Sequence, residues 1–205
     1  KALTAQAEGR FHNEIVPVKL EDGTTVEADE GPRSPDLEKI HSLKPAFSKK
    51  GTVTAATSSP FSIGAGAAIL TSRQFAEQHR LNIRAEIVSR AVVGVEWERM
   101  GMGPLPATEK ALDIAGLTMD NIDIIELNEA FAAQALYVIR KGDWPEEKIN
   151  LHGGSIALGH PLGCSGVRIL TTLINVMELK EATYGLAAMC IGKGQGITTI
   201  LRRPI

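Results

Sequence analysis

Residues Gly153–Gly166, GGSIALGHPLGCSG, constrain this chain more than any other stretch. Glycine at positions 153, 154, 159, 163 and 166 lets the backbone reach positive φ and lets another group approach the main chain. Pro161 locks its own φ, removes one N–H donor and pushes His160 out of the helical region. The apolar residues that follow, Val167, Ile169, Leu170, Leu173, Ile174 and Met177, recur at helical spacing. The pattern predicts a glycine-rich loop holding His160 in a rigid turn at the mouth of a helix over Gly166–Leu179. Backbone N–H groups and the dipole at such a helix start favour developing negative charge. Taken alone, a turn of this kind is more often a tight connection than an active site.

A second loop sharpens the reading. Residues 189–196 read MCIGKGQG and follow the apolar run Tyr184–Ala188. A thiol at the end of a buried strand, followed by alternate glycines at 192, 194 and 196, has the form of a second catalytic loop. One loop carries His and the other Cys, a pairing suited to thiol and thioester chemistry. Free Cys is also commonly a small buried hydrophobe, so Cys190 does not decide the matter alone.

The rest of the composition narrows the class. At 205 residues the chain can form one large or two small domains. A hydrophobic fraction of 43% with only 4% aromatics predicts a core of Ala, Ile, Leu and Val. A net charge of −2 gives no sign of a nucleic-acid or anionic-membrane partner. Cys164 and Cys190 form neither a disulfide framework nor a CxxC metal pair, so no metal is expected and a reducing compartment is the simplest setting. No apolar run is long enough to span a membrane, and KALTAQAEGR lacks a signal-peptide core. The chain starts without Met, and Lys1–Glu8 reads as the end of a helix, which leads to the expectation of further polypeptide upstream.

Taken in order, residues 1–60 are the least regular. Ala2–Ala7 reads as a helix end stopped at Gly9, and Glu14–Leu20 and Val26–Asp29 as strands about the turn Glu21-Asp22-Gly23-Thr24. Leu37–Leu43 is a short amphipathic helix, and Gly64–Thr71 reads as a closely packed buried strand before the helix Ser72–His79. A second unit starts near Leu81, with β-rich Arg84–Gly94 and a loop containing MGMGP. The helix Pro106–Ala115 has Pro at its start and Gly116 past its end. The strand Ile122–Leu127 is interrupted by Asp123 and Glu126, and Asn128 then precedes a helix over Glu129–Lys141. Strands over 184–190 and 195–202 close the chain. Alternating β and α elements predict a layered α/β fold with parallel strands. Such folds place their chemistry at strand C-termini, where Asn128 and Cys190 fall.

Three blocks carry a family resemblance: Asn128-Glu129-Ala130-Phe131-Ala132, GGSIALGHPLGCSG, and Cys190-Ile191-Gly192 within MCIGKGQG. Their order and spacing, 32 positions from Asn128 to His160 and 30 more to Cys190, resemble the C-terminal half of a thiolase of the 3-ketoacyl-CoA thiolase (acetyl-CoA acyltransferase) type. GTVTAATSS and MGMGP add weaker support. The resemblance covers nearly the whole chain. It implies the layered αβαβα thiolase fold, with 1–62 part of a CoA-covering loop domain, 63–80 the end of the N-terminal domain and 81–205 the C-terminal domain.

The implied reaction cleaves a 3-ketoacyl-CoA with free CoA, giving acetyl-CoA and an acyl-CoA two carbons shorter, as in fatty-acid β-oxidation. By the resemblance, His160 is the base for the thiol. Cys190 exchanges a proton at the α-carbon. The Gly192 N–H helps form one oxyanion hole, and Asn128 positions a water that forms the other with His160. Ser59 corresponds to a serine that contacts the pantetheine arm of CoA, and Met100 lines the acyl pocket or merely fills a gap. By residue type alone Asn128 is an N-cap and Glu129 the first acid of its helix. Cys164 is assigned to packing, His12, His41 and His79 to the surface, and His152 to packing beside the loop.

The family nucleophile is a cysteine of the N-terminal half, and neither Cys here lies in such a context. The chain alone is therefore expected to be inactive, with an N-terminal half supplying the nucleophile. Many thiolases read Ser-Gly-x-x-Asp-Gly-Ala-Ala-Ala where this chain has Ser59–Ala67, so Ile63 replaces a carboxylate. No cofactor is expected beyond CoA as substrate. Partners implied are CoA, the 3-ketoacyl-CoA, and a homodimer, tetramer or multifunctional β-oxidation complex, in a bacterial cytoplasm or a mitochondrial matrix. The competing readings are a biosynthetic acetoacetyl-CoA thiolase and a non-catalytic CoA-binding or scaffold half.

Overall fold

The computed structural model describes residues 1–204. Its first third is loosely organised. Helix α1 (Ala2–Ala7) leads to a two-residue hairpin of β1 (Val18–Lys19) and β2 (Thr25–Val26), closed at Asp22-Gly23. Helix α2 (Leu37–Ser42) follows, with the Asp36 carboxylate accepting the Lys39 N–H at 3.0 Å as its N-cap. Ser72 caps α3 (Arg73–Gln78) in the same way through the Phe75 N–H at 3.2 Å.

From Glu86 onward the chain builds a packed α/β unit. Strand β3 (Glu86–Gly94) and a 3-10 turn at Trp97–Met102 lead into α4 (Pro104–Ala115), which ends at Gly116 with φ 64°. Then come β4 (Ile124–Leu127), α5 (Ala132–Gly142), the single-turn α6 (Ser155–Leu158), α7 (Ser165–Leu179), β5 (Tyr184–Ile191) and β6 (Gln195–Arg202). The sheet runs in the order β3-β6-β5-β4.

Only β4 and β5 run parallel; β3–β6 and β5–β6 are antiparallel, so the sheet is mixed rather than parallel as expected. The cause is the length of the connections. Gly192–Gly194 is too short for anything but a hairpin, whereas the passage from β4 to β5 through α5, α6 and α7 allows a crossover.

Alternation along the strands divides the core into two layers. Ile125, Leu127, Leu186, Ala188 and Ile200 face α4 and α5, packing with Ala111, Ala135 and Val138. Ile124, Ala187 and Leu201 face α7, packing with Ile169, Leu173, Val176 and Met177. Each fully buried aliphatic side chain contributes about 1.5–3 kcal/mol of transfer free energy. Asp123 joins the starts of β4 and β5, its Oδ2 accepting the Thr183 and Tyr184 N–H groups at 2.8 and 2.9 Å.

Several predicted elements differ, and the strands expected over Glu14–Leu20 and Val26–Asp29 shrink to the two-residue β1 and β2. Residues 64–71 form no strand, and Ile69 and Leu70 are 89% and 75% exposed. A strand needs a ladder partner for its backbone groups, and none among the described residues pairs with this segment. It lies instead against the His160 loop: a Cβ on Gly64 would stand 2.8 Å from Pro161 Cγ, and one on Gly66 3.2 Å from Cys164 Sγ. Helix α5 begins at Ala132, three residues later than predicted, because Phe131 is extended (φ −143°, ψ 143°) and the Ala130 carbonyl accepts the Ser59 N–H at 3.0 Å. No helix among the described residues is long and apolar enough to cross a membrane.

Candidate active site

Because β4 and β5 are parallel, their C-terminal ends share one edge of the sheet. Asn128 follows β4, and its N–H donates to the Ala188 carbonyl at 2.9 Å. Cys190 is the penultimate residue of β5 and is buried opposite Gly196. Gly192 opens the hairpin loop, is exposed, and gives its N–H to no backbone carbonyl among the described residues. The site therefore assembles at the C-terminal edge of the two parallel strands, which is where α/β folds gather their functional groups.

The glycine-rich loop is fastened to the same edge. Ile149 bridges Ile125 in parallel, and the Asn150 side chain continues the ladder. Its Oδ1 accepts the Leu127 N–H at 2.8 Å and its Nδ2 donates to the Leu127 carbonyl at 2.9 Å. Glu129 accepts from Asn150 Nδ2 and from the Ile156 N–H, both at 3.2 Å. Its carboxylate fills the space a Cβ on Gly154 would need. Glu129 is therefore a clamp on the start of α6 rather than the first acid of α5. The loop then turns at Gly159, whose φ of 98° is closed to most side chains. Beyond it, the Pro161 carbonyl accepts the Cys164 and Ser165 N–H groups at 2.8 Å each, which starts α7.

His160 stands at the centre of a chain of polar contacts. Its Nε2 lies 3.3 Å from Asn128 Nδ2 and its Nδ1 2.6 Å from Ser165 Oγ, which donates in turn to the Pro161 carbonyl at 3.0 Å. On the other side of Asn128, Ser155 Oγ donates to Asn128 Oδ1 at 2.6 Å. Arg168, from the first turn of α7, donates to Ser155 Oγ at 2.9 Å and stands 4.0 Å from Glu126. Asn128 is wholly buried and caps no helix, since Phe131 holds the N-cap position of α5.

Burial sets the ionisation of these groups. It pushes His160 below the ordinary imidazole value, with the Arg168 charge adding to the effect, so the ring is neutral at pH 7. Burial lifts the Cys190 thiol above its usual range, so it holds its proton. Burial also lifts Glu126 to about 8 against the opposing pull of Arg168. The edge thus presents a neutral imidazole, a protonated thiol, a carboxamide and a free backbone donor. That set can take a proton from a thiol, give one to a carbanion and hold a developing oxyanion.

The remaining predicted residues fall into place unequally. Ser59 is joined to the site, its Oγ donating to the Ala130 carbonyl at 3.2 Å in the loop after Asn128. Met100 is half-buried in the 3-10 turn, and the open groove along that turn is lined by Met102, Gln134 and Tyr137. Cys164 is buried beside Gly64 and Gly66, consistent with packing. His12, His41 and His79 are exposed, and His152 is buried edge-on against Phe11. Sequence reasoning missed Ser155, Ser165 and Arg168. A signal was available: an acid inside an apolar strand and an arginine in the first turn of an apolar helix both need partners.

The N-terminal thiolase domain model matches residues 1–74 and the C-terminal thiolase domain model residues 81–203. A 3-ketoacyl-CoA thiolase of Vibrio cholerae is 53% identical over 213 aligned residues, covering 100% of this chain and 55% of the relative. One from Alcanivorax borkumensis is 53% identical, covering 98% and 54%. The chain thus spans about half the length of the curated relatives it matches. Among solved structures, human mitochondrial 3-ketoacyl-CoA thiolase superposes with a TM-score of 0.96 at 40% identity, over 100% of this chain and 52% of that one. The Bacillus anthracis acetyl-CoA acetyltransferase gives 0.95 at 38% identity, over 99% and 52%. With both domain models matched along its length, the chain belongs to the thiolase family.

Proposed function

We propose that this chain supplies the base, the acid and the oxyanion donors of a 3-ketoacyl-CoA thiolase. The thiolysis yields acetyl-CoA and a shortened acyl-CoA, with no cofactor beyond CoA as substrate. The observation that carries the reading is the convergence of His160, Asn128, Cys190 and Gly192 on one sheet edge. The nucleophilic cysteine comes from an N-terminal thiolase half, because Cys164 is packed under the loop and Cys190 has the other role. The nucleophile gives its thiol proton to His160 Nε2 as it attacks the ketone carbon, and the bond to the α-carbon breaks with its electron pair on the departing acetyl-CoA enolate. Cys190 gives that enolate its proton. The thiol of free CoA attacks the acyl-enzyme and gives its proton to the Cys190 thiolate, while the departing nucleophile recovers its own proton from His160. Gly192 N–H and the His160–Asn128 pair receive the oxyanions. Ser59 holds the pantetheine arm and Met100 the acyl chain. The 1–62 segment covers the CoA.

Support comes from the relatives' names and from a solved human mitochondrial 3-ketoacyl-CoA thiolase in complex with CoA, at a TM-score of 0.93 and 39% identity. The bacterial sources of the relatives favour a bacterial cytoplasm. The acetyl-CoA acetyltransferase neighbour keeps a short-chain biosynthetic enzyme as the second reading.

The test is co-expression with the N-terminal segment of the Vibrio cholerae relative, followed by thiolysis of 3-ketoacyl-CoA substrates of increasing length. The expected result is acetyl-CoA release that His160→Ala and Cys190→Ala each reduce about 10²–10⁴-fold. Full activity in either variant overturns the role assignment. Activity confined to acetoacetyl-CoA selects the biosynthetic reading.

A further inference from the structure

The polar chain through His160 has a direction. Arg168 carries only donors, so Ser155 Oγ must accept from it. The one Ser155 proton is then free to go to Asn128 Oδ1, 2.6 Å away. That contact turns the carboxamide so that its NH₂ faces His160 Nε2. At the far end the Ser165 proton goes to the Pro161 carbonyl, which leaves an Oγ lone pair facing His160 Nδ1. Each end of the imidazole therefore meets one fixed partner: a donor at Nε2 and an acceptor at Nδ1.

The reverse arrangement fails on the same count. With the proton on Nε2, the Asn128 amide must flip to offer its oxygen. Its NH₂ then meets Ser155 Oγ, already an acceptor for Arg168, and the Ser155 proton is left without a partner in a wholly buried position. A buried unmade hydrogen bond of this kind carries the full desolvation penalty.

We infer that Arg168, Ser155 and Ser165 are positioning residues that lock His160 in the Nδ1–H tautomer and keep the basic lone pair on Nε2, beside Asn128. The locked ring presents its base toward the edge shared with β5, and a thiol proton has one place to go. Which imidazole nitrogen carries the proton is set by the hydrogen bond at the other, and here both sides agree. Arg168 never touches the reacting atoms; it acts through two side chains. The inference rests on His160 as the base of the proposed reaction, yet the tautomer is a property of this chain without substrate.

Nitrogen-15 NMR of the histidine-labelled chain reads the tautomer directly, with the His160 signals identified by their loss in His160→Gln. At neutral pH the expected spectrum has a protonated, pyrrole-type Nδ1 and an unprotonated, pyridine-type Nε2. Ser155→Ala and Ser165→Ala each shift the tautomer ratio about tenfold toward Nε2–H, the equilibrium worth of one hydrogen bond. Ser155→Thr retains the wild-type pattern. A wild-type ring protonated on Nε2, or wild-type shifts in either folded alanine variant, overturns the inference. Loss of thiolysis without a tautomer change would do the same. A locked tautomer with no effect of His160→Ala on thiolysis would instead sink the proposed function and leave the lock standing.

Discussion

Replacing Glu126 with Gln removes one ionisable group from the middle of β4 while keeping its volume. Glu126 is 1% exposed, its Oε1 has no hydrogen-bond partner, and Arg168 stands 4.0 Å from its Oε2 without bonding it. Burial lifts its pKa from 4.5 to about 8. Between those values the folded chain holds a proton that the unfolded chain has released. The unfolded state then binds fewer protons, so stability falls as pH rises through this window. The slope is about 1.4 kcal/mol per pH unit, and the interval from 4.5 to about 8 sets an upper bound of about 5 kcal/mol. Relaxation and water entry bring the realised value to about 2–4 kcal/mol. Gln stands in for the protonated acid, so Glu126→Gln is near-neutral at pH 5 and progressively more stable than the parent toward pH 8. Urea unfolding by circular dichroism at pH 5, 6, 7 and 8, compared at equal m-value, measures the difference. A stability difference that does not change with pH would refute the reasoning.

Three further outcomes follow from the same packing. Gly196→Ala puts a Cβ into the backbone of Gly103, which cannot move aside as a flexible side chain can. Thermal unfolding should show a loss of about 3 kcal/mol or more, and a wild-type midpoint would contradict the close approach. Leu173→Ala, at a wholly buried site against the sheet, should cost about 2–5 kcal/mol by chemical denaturation; a change under about 1 kcal/mol would mean that α7 is loosely seated. His160 must be neutral to act as a base, and burial lowers its pKa. The acid limb of the thiolysis rate in the complemented enzyme should therefore fall below pH about 6.5, and a midpoint above that value would contradict the burial argument.

Much of the architecture was legible because local rules suffice for it. The helix after the glycine-rich loop, the Gly116 stop of α4 and the extents of β5 and β6 each follow from spacing or turn chemistry, and the structure keeps them within a residue or two. What stayed hidden depends on pairing across long distances. The segment 64–71 has the composition of a buried strand, but composition says nothing about whether a ladder partner is present. The antiparallel pairing of β3 with β6 joins residues more than a hundred positions apart. In the candidate site, the motifs singled out Asn128, His160, Cys190 and Gly192, and the fold sets them at the edge where β4 and β5 end. Glu129 looked like a helix acid because the Ser59 contact that delays α5 cannot be seen along the chain. Ser155, Ser165 and Arg168 acquire meaning only when α6 and α7 are folded against β4.

The most direct test of the account is a crystal structure of the complemented protein with bound acetyl-CoA. The account predicts the thioester oxygen about 3 Å from the Gly192 N–H, with the methyl carbon against Cys190 Sγ. A thioester seated elsewhere, such as the groove along Met102 and Tyr137, with no polar contact to His160, Cys190 or Gly192, would contradict it.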